Sequence, residues 1–309
     1  MSRVLIVGAG VVGEAAGASL EAIGHTVAYH DVDLAHLDEL GRRGRTTCLD
    51  LSGCASHPPE LIFICVDTPN ANGAADLSRL DAACRSLGPV LAAAAEYPRS
   101  TGPGREYPLV TVKSTILPGT TERCVVPWLE QASGRKAGVD FGVCYWPEFL
   151  RHATAEADAR EPWIVVIGRA EARSERQLLA ALDPLVRRGA TRVPVQVTDY
   201  VTAEAAKYAS NLFNATKISF ANEMWRACRK LGVDGNRVMA IVSGAAEGMW
   251  NPRYGIEGGR PYSGGCLPKD VQAFLALAKT AGLAMPLLEA VRRVNDEVVG
   301  SDSSQPLKS

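Results

Sequence analysis

The sequence lacks the features of nucleic-acid-binding, membrane and metal-binding proteins. Acidic and basic residues nearly cancel, 34 against 33, for a net charge of -1, so no charged surface for nucleic acid or anionic lipid is expected. No apolar run reaches the roughly 18 residues that would span a bilayer, and the N-terminus lacks a signal peptide's charged start and cleavage site. The eight cysteines include no CxxC pair or zinc-type spacing, which predicts no metal site. We expect a cytoplasmic protein whose partners are small molecules.

Short apolar runs alternate with helical stretches over the first two thirds of the chain. This rhythm is typical of a parallel sheet whose strands are joined by crossover helices. The runs lie at Val4–Val7, Thr26–His30, Leu61–Val66, Leu109–Lys113, Val139–Tyr145, Ile164–Ile167 and Arg192–Val197. With 309 residues the chain can form two ordinary cores, and we predict an α/β fold with a doubly wound parallel sheet.

The last third of the chain has helical patterns only. Asp199–Leu231 contains no Gly or Pro and repeats apolar residues at helical spacing, which predicts one central helix of about thirty residues. Further helices are predicted near Asn236–Ser243 and from Pro268 and Pro286, after a Gly-rich loop. A long surface loop is predicted at Glu96–Pro108. We divide the chain into a dinucleotide-binding domain, 1–198, and a mostly helical domain, 199–309.

Three glycines follow the first predicted strand directly. Gly8, Gly10 and Gly13 form GxGxxG, which permits a tight turn, close approach of a pyrophosphate and packing of a helix on the sheet. Asp31 ends the second strand, about 20 residues further on, where a carboxylate accepts ribose hydroxyls and repels a 2′-phosphate. The alternative is that Asp31 and Asp33 only cap the next helix. The combination predicts a Rossmann-type domain that binds NAD rather than NADP.

One cysteine lies in a setting unlike that of the other seven. Cys266 follows two glycines and precedes a helix that starts near Pro268, with Lys269 close by. A helix N-terminus and a lysine both favour thiolate, the form that attacks carbonyl carbon. Free cysteines are more often small core hydrophobes, which is our interpretation of the rest.

Polar residues also cluster on the long helix and after two strands. Lys207, Asn211 and Asn214 share one helix face, although a solvated face is the usual explanation for such a stripe. Lys113-Ser114-Thr115 ends one predicted strand and Pro147–Arg151 follows another, at the edge where doubly wound sheets bind ligands. Either segment could instead cap a helix.

Four segments together resemble the UDP-glucose and GDP-mannose dehydrogenase family over nearly the whole chain. They are KSTILPGT at Lys113–Thr120, PEFLR at Pro147–Arg151, EAAKYASNLFNATKISFANE at Glu204–Glu223 and GGCLPKD at Gly264–Asp270. The resemblance implies that the chain is an NAD-dependent dehydrogenase that oxidises a primary alcohol of a sugar nucleotide, or of a nucleoside or sugar derivative, to a carboxylate. It also implies two NAD molecules used in sequence and a homodimer formed through the long helix.

The resemblance assigns roles to matching residues. Lys207 and Asn211 would stabilise an oxyanion, Asp270 would assist proton removal, and Cys266 would form a thiohemiacetal and then a thioester. Glu148 would activate the hydrolytic water and Thr115 would position it. The implied cofactor contacts are Gly8, Gly10, Val11, Val12, Gly13, Asp31, Val66, Thr68, Ser114, Thr115, Glu148 and Lys269. The implied substrate contacts are Phe149, Leu150, Arg151, His152, Lys207, Asn211, Asn214, Tyr262 and Gly265.

The sequence departs from the family pattern in four respects. The chain stops where the family's third domain, which grips the nucleotide, should begin. Trp146 occupies the position before PEF at which the family has an asparagine. His152 occupies the position at which the family has a second glutamate. Asn214 adds a polar group in the NxFLA pattern, and Asp67 replaces a proline in CVPTP. These departures predict retained redox chemistry on a changed substrate, in a specialised biosynthetic pathway.

Three alternatives stay open at this point. A two-electron β-hydroxyacid dehydrogenase has a similar dinucleotide domain, long helix and Lys-xxx-Asn pair, but has no use for Cys266. A catalytically inactive NAD-binding subunit is the non-enzyme alternative, against which the presence of Lys207, Glu148 and Asp270 argues. A companion polypeptide could also supply a third domain.

Overall fold

The chain forms two compact units, Met1–Ser210 and Asn211–Ser309. The computed structural model describes residues 1–55, 57–96, 107–188 and 191–302. The division falls inside the long helix, and the domain boundary near residue 198 stays a prediction. Most of the predicted loop at Glu96–Pro108 lies outside the described residues.

The first unit contains the sheet. Its strands are β1 (Arg3–Val7), β2 (Thr26–His30), β3 (Thr46–Thr47), β4 (Leu61–Ile64), β5 (Asn70–Ala71), β6 (Ala74–Ala75), β7 (Leu109–Val112), β8 (Gly142–Tyr145), β9 (Val165–Arg169), β10 (Arg187–Arg188), β11 (Thr191–Arg192) and β12 (Val195–Thr198). Eight of the described strands make one sheet in the order β12-β9-β8-β7-β4-β1-β2-β3, and β5-β6 and β10-β11 form two small antiparallel pairs. The predicted doubly wound sheet is confirmed.

Helices cover both faces of this sheet. The first unit has α1 (Val11–Ala22), α2 (Leu34–Arg42), α3 (Ser78–Ser86), α4 (Gly88–Glu96), α5 (Val126–Ser133), α6 (Ala155–Arg160), α7 (Ala172–Val186) and the start of α8 (Tyr200–Lys230). Leu20 and Leu182 belong to the core on one face, and Leu91 and Leu129 to the core on the other. Burial on both faces explains why the central strands are continuous apolar runs rather than alternating ones.

One pair in the sheet is antiparallel, which the sequence analysis did not predict. Tyr145 of β8 pairs with Gly168 of β9 in antiparallel register, whereas β9 and β12 are parallel. The connection from β8 to β9 contains one helical turn, His152–Thr154, and the short helix α6, which at about 1.5 Å per residue do not carry the chain back along the sheet. The chain therefore re-enters the sheet from the carboxyl edge.

The second unit is helical, as predicted. It contains the rest of α8, then α9 (Gly235–Ala245), α10 (Glu247–Trp250), α11 (Leu267–Thr280) and α12 (Pro286–Asp302). The helix predicted at Asp199–Leu231 is confirmed within one residue at each end. Ala227, Ala278 and Met285 form a small core. The buried carboxylate of Glu223 accepts hydrogen bonds from the first backbone N–H groups of α12.

The described part of the chain has neither a membrane-spanning helix nor a cluster of metal ligands. No described helix is both long and apolar enough to cross a bilayer. Within the described ranges, no group of three His, Cys, Asp or Glu side chains is arranged to hold a metal ion.

Candidate active site

The glycine loop after β1 has the geometry that GxGxxG requires. Gly8 has φ +91°, and a Cβ built on it would lie 2.8 Å from backbone atoms of Cys65 and Val66. A Cβ on Gly13 would lie 1.9 Å from the Gly8 carbonyl oxygen. A Cβ on Gly10 would meet no atom within 4 Å. Gly8 and Gly13 therefore serve the fold, while Gly10 leaves open space over the loop.

The start of α1 offers backbone donors to that space. The helix begins at Val11, and its N-cap, Gly10, supplies no side-chain hydrogen bond. The first-turn N–H groups at Val11, Val12 and Gly13 have no acceptor within their helix, and they carry the positive end of its dipole. Such a terminus binds phosphate. The loop and helix thus fit the pyrophosphate of a dinucleotide.

The structure separates the two readings of the acidic pair after β2. Asp33 is the helix cap, because its Oδ1 accepts from the N–H groups of Ala35 and His36 at 3.1 Å. Asp31 instead ties the glycine loop to β2, since its Oδ2 accepts from the N–H of Ala9 at 2.6 Å. Its half-buried carboxylate faces a cleft of about 620 Å³. Its other oxygen, Oδ1, accepts from the N–H of Asp33 at 3.0 Å, and the ribose contact of Asp31 stays a prediction.

This cleft, called the cofactor cleft below, lies where the strand order reverses. It is lined by residues at the ends of β1 and β2, by residues that follow β1, β2 and β4, and by residues of α3: Val7, Gly8, Gly10, His30, Asp31, Val32, Asp33, Cys65, Val66, Asp67, Arg79, Ala82, Ala83 and Ser86. Ligands of doubly wound sheets bind at this switch point. On its rim, Asp67, which departs from the family pattern, pairs with Arg79 at 3.2 Å.

Hydroxyl groups join the ends of two neighbouring strands. The Ser114 hydroxyl donates to the Val66 carbonyl at 2.6 Å, and the Thr68 hydroxyl donates to the Thr115 carbonyl at 2.5 Å. These bonds link the segments that follow β4 and β7. Four predicted contact residues are therefore brought together at the carboxyl edge of the sheet.

A buried ion pair follows β8. Lys207 of α8 is 4% exposed, and its Nζ lies 3.1 Å from Oε1 of Glu148, which is 15% exposed. The other oxygen, Oε2, accepts from the N–H of Leu150 at 2.6 Å. The Lys207 ammonium also lies 5.4 Å from the Phe149 ring centroid. Two residues predicted to be catalytic are thus in contact, with the carboxylate held at both oxygens.

A second buried lysine, Lys113, was not among the predicted site residues. Its ammonium lies 3.5 Å from the Trp146 ring centroid and donates to the Trp146 carbonyl at 3.3 Å. Burial lowers the pKa of Lys113 to about 8; the charge of Glu148 opposes this shift and that of Lys207 adds to it. The signals in the sequence were a lysine that ends an apolar strand run and its place at the start of the segment KSTILPGT.

Arg151 and His152 differ in their surroundings. The Arg151 guanidinium binds both oxygens of Asp158, at 3.0 and 2.6 Å, and this pairing holds the pKa of Asp158 below its usual range. His152 is exposed at the start of a single helical turn, His152–Thr154. A substrate role for Arg151 would have to coexist with this pair, and both substrate contacts stay predictions.

The second unit holds the remaining predicted residues. Cys266, the N-cap of α11, is the exposed one of the eight cysteines. Lys269 and Asp270 follow it in the first turn and pair with each other at 2.6 Å, so the lysine's charge is shared with a carboxylate. Also in this unit are the exposed Asn211, Asn214 and Gly265 and the half-buried Tyr262.

Comparison with known proteins agrees with these features. The UDP-glucose/GDP-mannose dehydrogenase family's NAD binding domain matches residues 52–185, and its central domain matches residues 201–297. GDP-mannose 6-dehydrogenase of Pseudomonas putida is 35% identical over 96% of this chain and 68% of its own length.

The chain belongs to the UDP-glucose/GDP-mannose dehydrogenase family.

Other members of the family are similar to the same extent. UDP-glucose 6-dehydrogenase of Haloferax volcanii is 33% identical over 94% of the chain and 69% of its own length. The structure of a ternary complex of GDP-mannose dehydrogenase from Pseudomonas aeruginosa has a TM-score of 0.84 at 33% identity, and covers 96% of this chain and 69% of that one. This UDP-glucose/GDP-mannose dehydrogenase family member is thus an NAD-dependent dehydrogenase that acts on an alcohol carbon, as predicted, with NAD as its cofactor.

Proposed function

We propose that the protein oxidises the primary alcohol of a sugar nucleotide, or of a nucleoside or sugar derivative, to a carboxylate, in a four-electron reaction that consumes two NAD molecules. The buried Glu148–Lys207 pair carries this proposal. It places a carboxylate and an ammonium at the carboxyl edge of the sheet, and Glu148 acts electrostatically on Cys65, which lines the cofactor cleft. The relatives whose names specify GDP-mannose and UDP-glucose support this substrate class.

The first oxidation needs stabilisation of an alkoxide. The Lys207 ammonium, together with the amide of Asn211 one helical turn later, serves as the donor pair for that oxygen. Asp270 with a water takes the alcohol proton. Bound NAD accepts each pair of electrons as a hydride. Because Lys207 is buried and held by Glu148, its ammonium is already oriented.

The second oxidation uses Cys266. Its sulfur adds to the aldehyde carbon to give a thiohemiacetal, and loss of hydride from that carbon leaves a thioester. Water activated by Glu148 and positioned by Thr115 then adds to the carbonyl, the C–S bond breaks, and carboxylate and free thiol are released. An exposed sulfur at the uncapped start of α11 is accessible and lies where negative charge is stabilised.

A screen with product analysis tests this proposal. The purified chain is incubated with NAD and one of three substrates: GDP-mannose, UDP-glucose or a free nucleoside sugar. The masses of the products are then measured by mass spectrometry. We expect NADH release with a sugar nucleotide and a product that has gained one oxygen and lost two hydrogens. A product that has only lost two hydrogens, at every substrate concentration, would instead support the two-electron β-hydroxyacid type of dehydrogenase. No turnover with any of these compounds, despite measurable NAD binding, would support an inactive subunit.

We also propose a homodimer formed through α8. Every residue from 211 to 220 is exposed in the single chain, including the large apolar side chains of Leu212, Phe213 and Ile218. An apolar helix segment exposed on all sides is stabilised by a partner. Light scattering should show a dimer that Phe213→Glu converts to monomer, while Lys136→Glu, at an exposed lysine outside α8, leaves it intact. A monomeric wild type at micromolar concentration would overturn this proposal.

A further inference from the structure

We propose that Lys113 is a positioning residue for the hydrolytic step: its ammonium, covered by the Trp146 ring, holds the Trp146–Glu148 turn in place. This inference rests on the proposed function, in which Glu148 activates water against the thioester.

The first observation is the confinement of the Lys113 ammonium. Lys113 directly follows β7 and is 4% exposed. Burying an ammonium is costly unless it is compensated, and here an aromatic face and a carbonyl oxygen compensate it. Both belong to Trp146, the residue that directly follows the neighbouring strand β8. Phe63 fixes the Trp146 ring from the side, in an edge contact with centroids 6.0 Å apart.

The second observation is the short path from this contact to Glu148. The Trp146 carbonyl that accepts from Lys113 is followed by buried Pro147, whose ring fixes the backbone φ, and then by Glu148. The Glu148 carboxylate is held by its own turn through Leu150 and by Lys207. The contacts with Leu150 and Lys207 hold the Glu148 end of this turn. Lys113 therefore restrains the other end, at Trp146.

The third observation is the balance of charge. The groups that interact electrostatically with Glu148 are Lys113 after β7, Lys207 of α8, Cys65 after β4 and Tyr145 of β8. The two lysines are cationic, and burial raises the pKa of Cys65 to about 12, so its thiol stays neutral. The Lys113 ammonium loses its proton as pH rises through about 8, the pKa that burial gives it, and its cation–π attraction to the Trp146 ring is then lost.

A quenched-reaction experiment isolates the step. Three proteins are compared: wild type, Lys113→Met and Glu148→Gln. Each is mixed with NAD and GDP-mannose, or with UDP-glucose if the screen favours it, and the reaction is quenched in acid. The mass of the intact protein is then measured by mass spectrometry. We expect Lys113→Met to form carboxylate roughly 10- to 100-fold more slowly, with kcat and KM lowered together so that kcat/KM is little changed, and with an acyl adduct accumulating on Cys266. Glu148→Gln should accumulate the same adduct. Lys136→Met, a lysine exposed to solvent in the same unit, should behave like wild type.

The outcomes separate the two proposals. If Glu148→Gln accumulates the adduct and Lys113→Met does not, the role of Lys113 is wrong while the proposed function stands. If neither variant nor wild type carries an adduct while carboxylate forms, the cysteine chemistry itself is wrong.

A pH profile gives a second readout that a purely structural role would not move. The rate of hydrolysis by wild type should fall above pH 8. The rate for Lys113→Met should be low at all pH values and should show no further fall above pH 8. Exchanging a buried ammonium for a side chain of similar size is tolerated by many folds, so Lys113→Met should stay folded. If it does not, Trp146→Leu, which removes the aromatic cover but keeps the carbonyl, should give the same adduct to a smaller extent, and its absence would overturn the inference.

Discussion

Replacing Gly10 by alanine should separate cofactor binding from folding. A methyl group at Gly10 meets no protein atom within 4 Å, so the fold has room for it. The methyl projects over the uncapped start of α1, where the pyrophosphate must approach within hydrogen-bond distance. Losing one charge-assisted hydrogen bond costs roughly 1.5–3 kcal/mol. That corresponds to NAD binding about 10- to 150-fold weaker, at about 1.4 kcal/mol per factor of ten.

Calorimetric titration with NAD and thermal unfolding without it measure the two quantities independently. Gly10→Ala should raise the Kd for NAD and leave the Tm within a few degrees of wild type. Gly41→Ala is the matched control, because Gly41 lies inside α2 and its added methyl would make only an ordinary van der Waals contact, 3.9 Å from the Thr47 hydroxyl of β3. It should bind NAD normally and gain up to about 1 kcal/mol of stability. Wild-type affinity in Gly10→Ala would refute the placement of the pyrophosphate over this loop.

Three further predictions follow from single contacts. Asp31→Ala removes the acceptor beside the glycine loop, so NAD should bind at least about tenfold more weakly and the preference for NAD over NADP should shrink, as titration of both cofactors would show. Glu204→Gln keeps one oxygen for the buried donors of Thr121, at 2.8 and 2.6 Å, but turns its NH2 group against the N–H of Gly119, and should lower the free energy of unfolding by roughly 1–3 kcal/mol in urea denaturation. The pKa of Lys113 falls from 10.5 to about 8 on folding, so between these pH values the unfolded chain binds more protons than the folded chain. The contribution of Lys113 to the free energy of unfolding therefore rises with pH in that range. The unfolding free energy of wild type minus that of Lys113→Met should increase from pH 8 to 10 and be constant below pH 7.

The sequence predicted those features whose cause is local. The central strands are buried on both faces and are therefore read as apolar runs, and α8 lacks any residue that would break a helix. The glycine loop was predictable because backbone geometry alone determines which positions tolerate no side chain. Gly8 and Gly13 meet backbone atoms, which no rearrangement of side chains could relieve.

The features that escaped prediction depend on contacts between distant residues. The antiparallel β8–β9 pair depends on where the chain re-enters the sheet, which strand patterns do not encode. Lys113 looked like the end of a strand, and its role as a buried ammonium depends on Trp146 in the neighbouring strand. The pairing of Arg151 with Asp158 similarly joins residues on either side of a helical turn. A single sequence shows residue types in order, and such pairs become visible only when the fold is known.

The ratio of NADH to carboxylate in Cys266→Ala tests the central claim most directly. Wild type and Cys124→Ala, a control at a half-buried cysteine, should release two NADH for each carboxylate formed. Cys266→Ala should form no carboxylate, and any residual turnover should end at the aldehyde with one NADH. Carboxylate formation by Cys266→Ala at the wild-type rate and ratio would contradict the account.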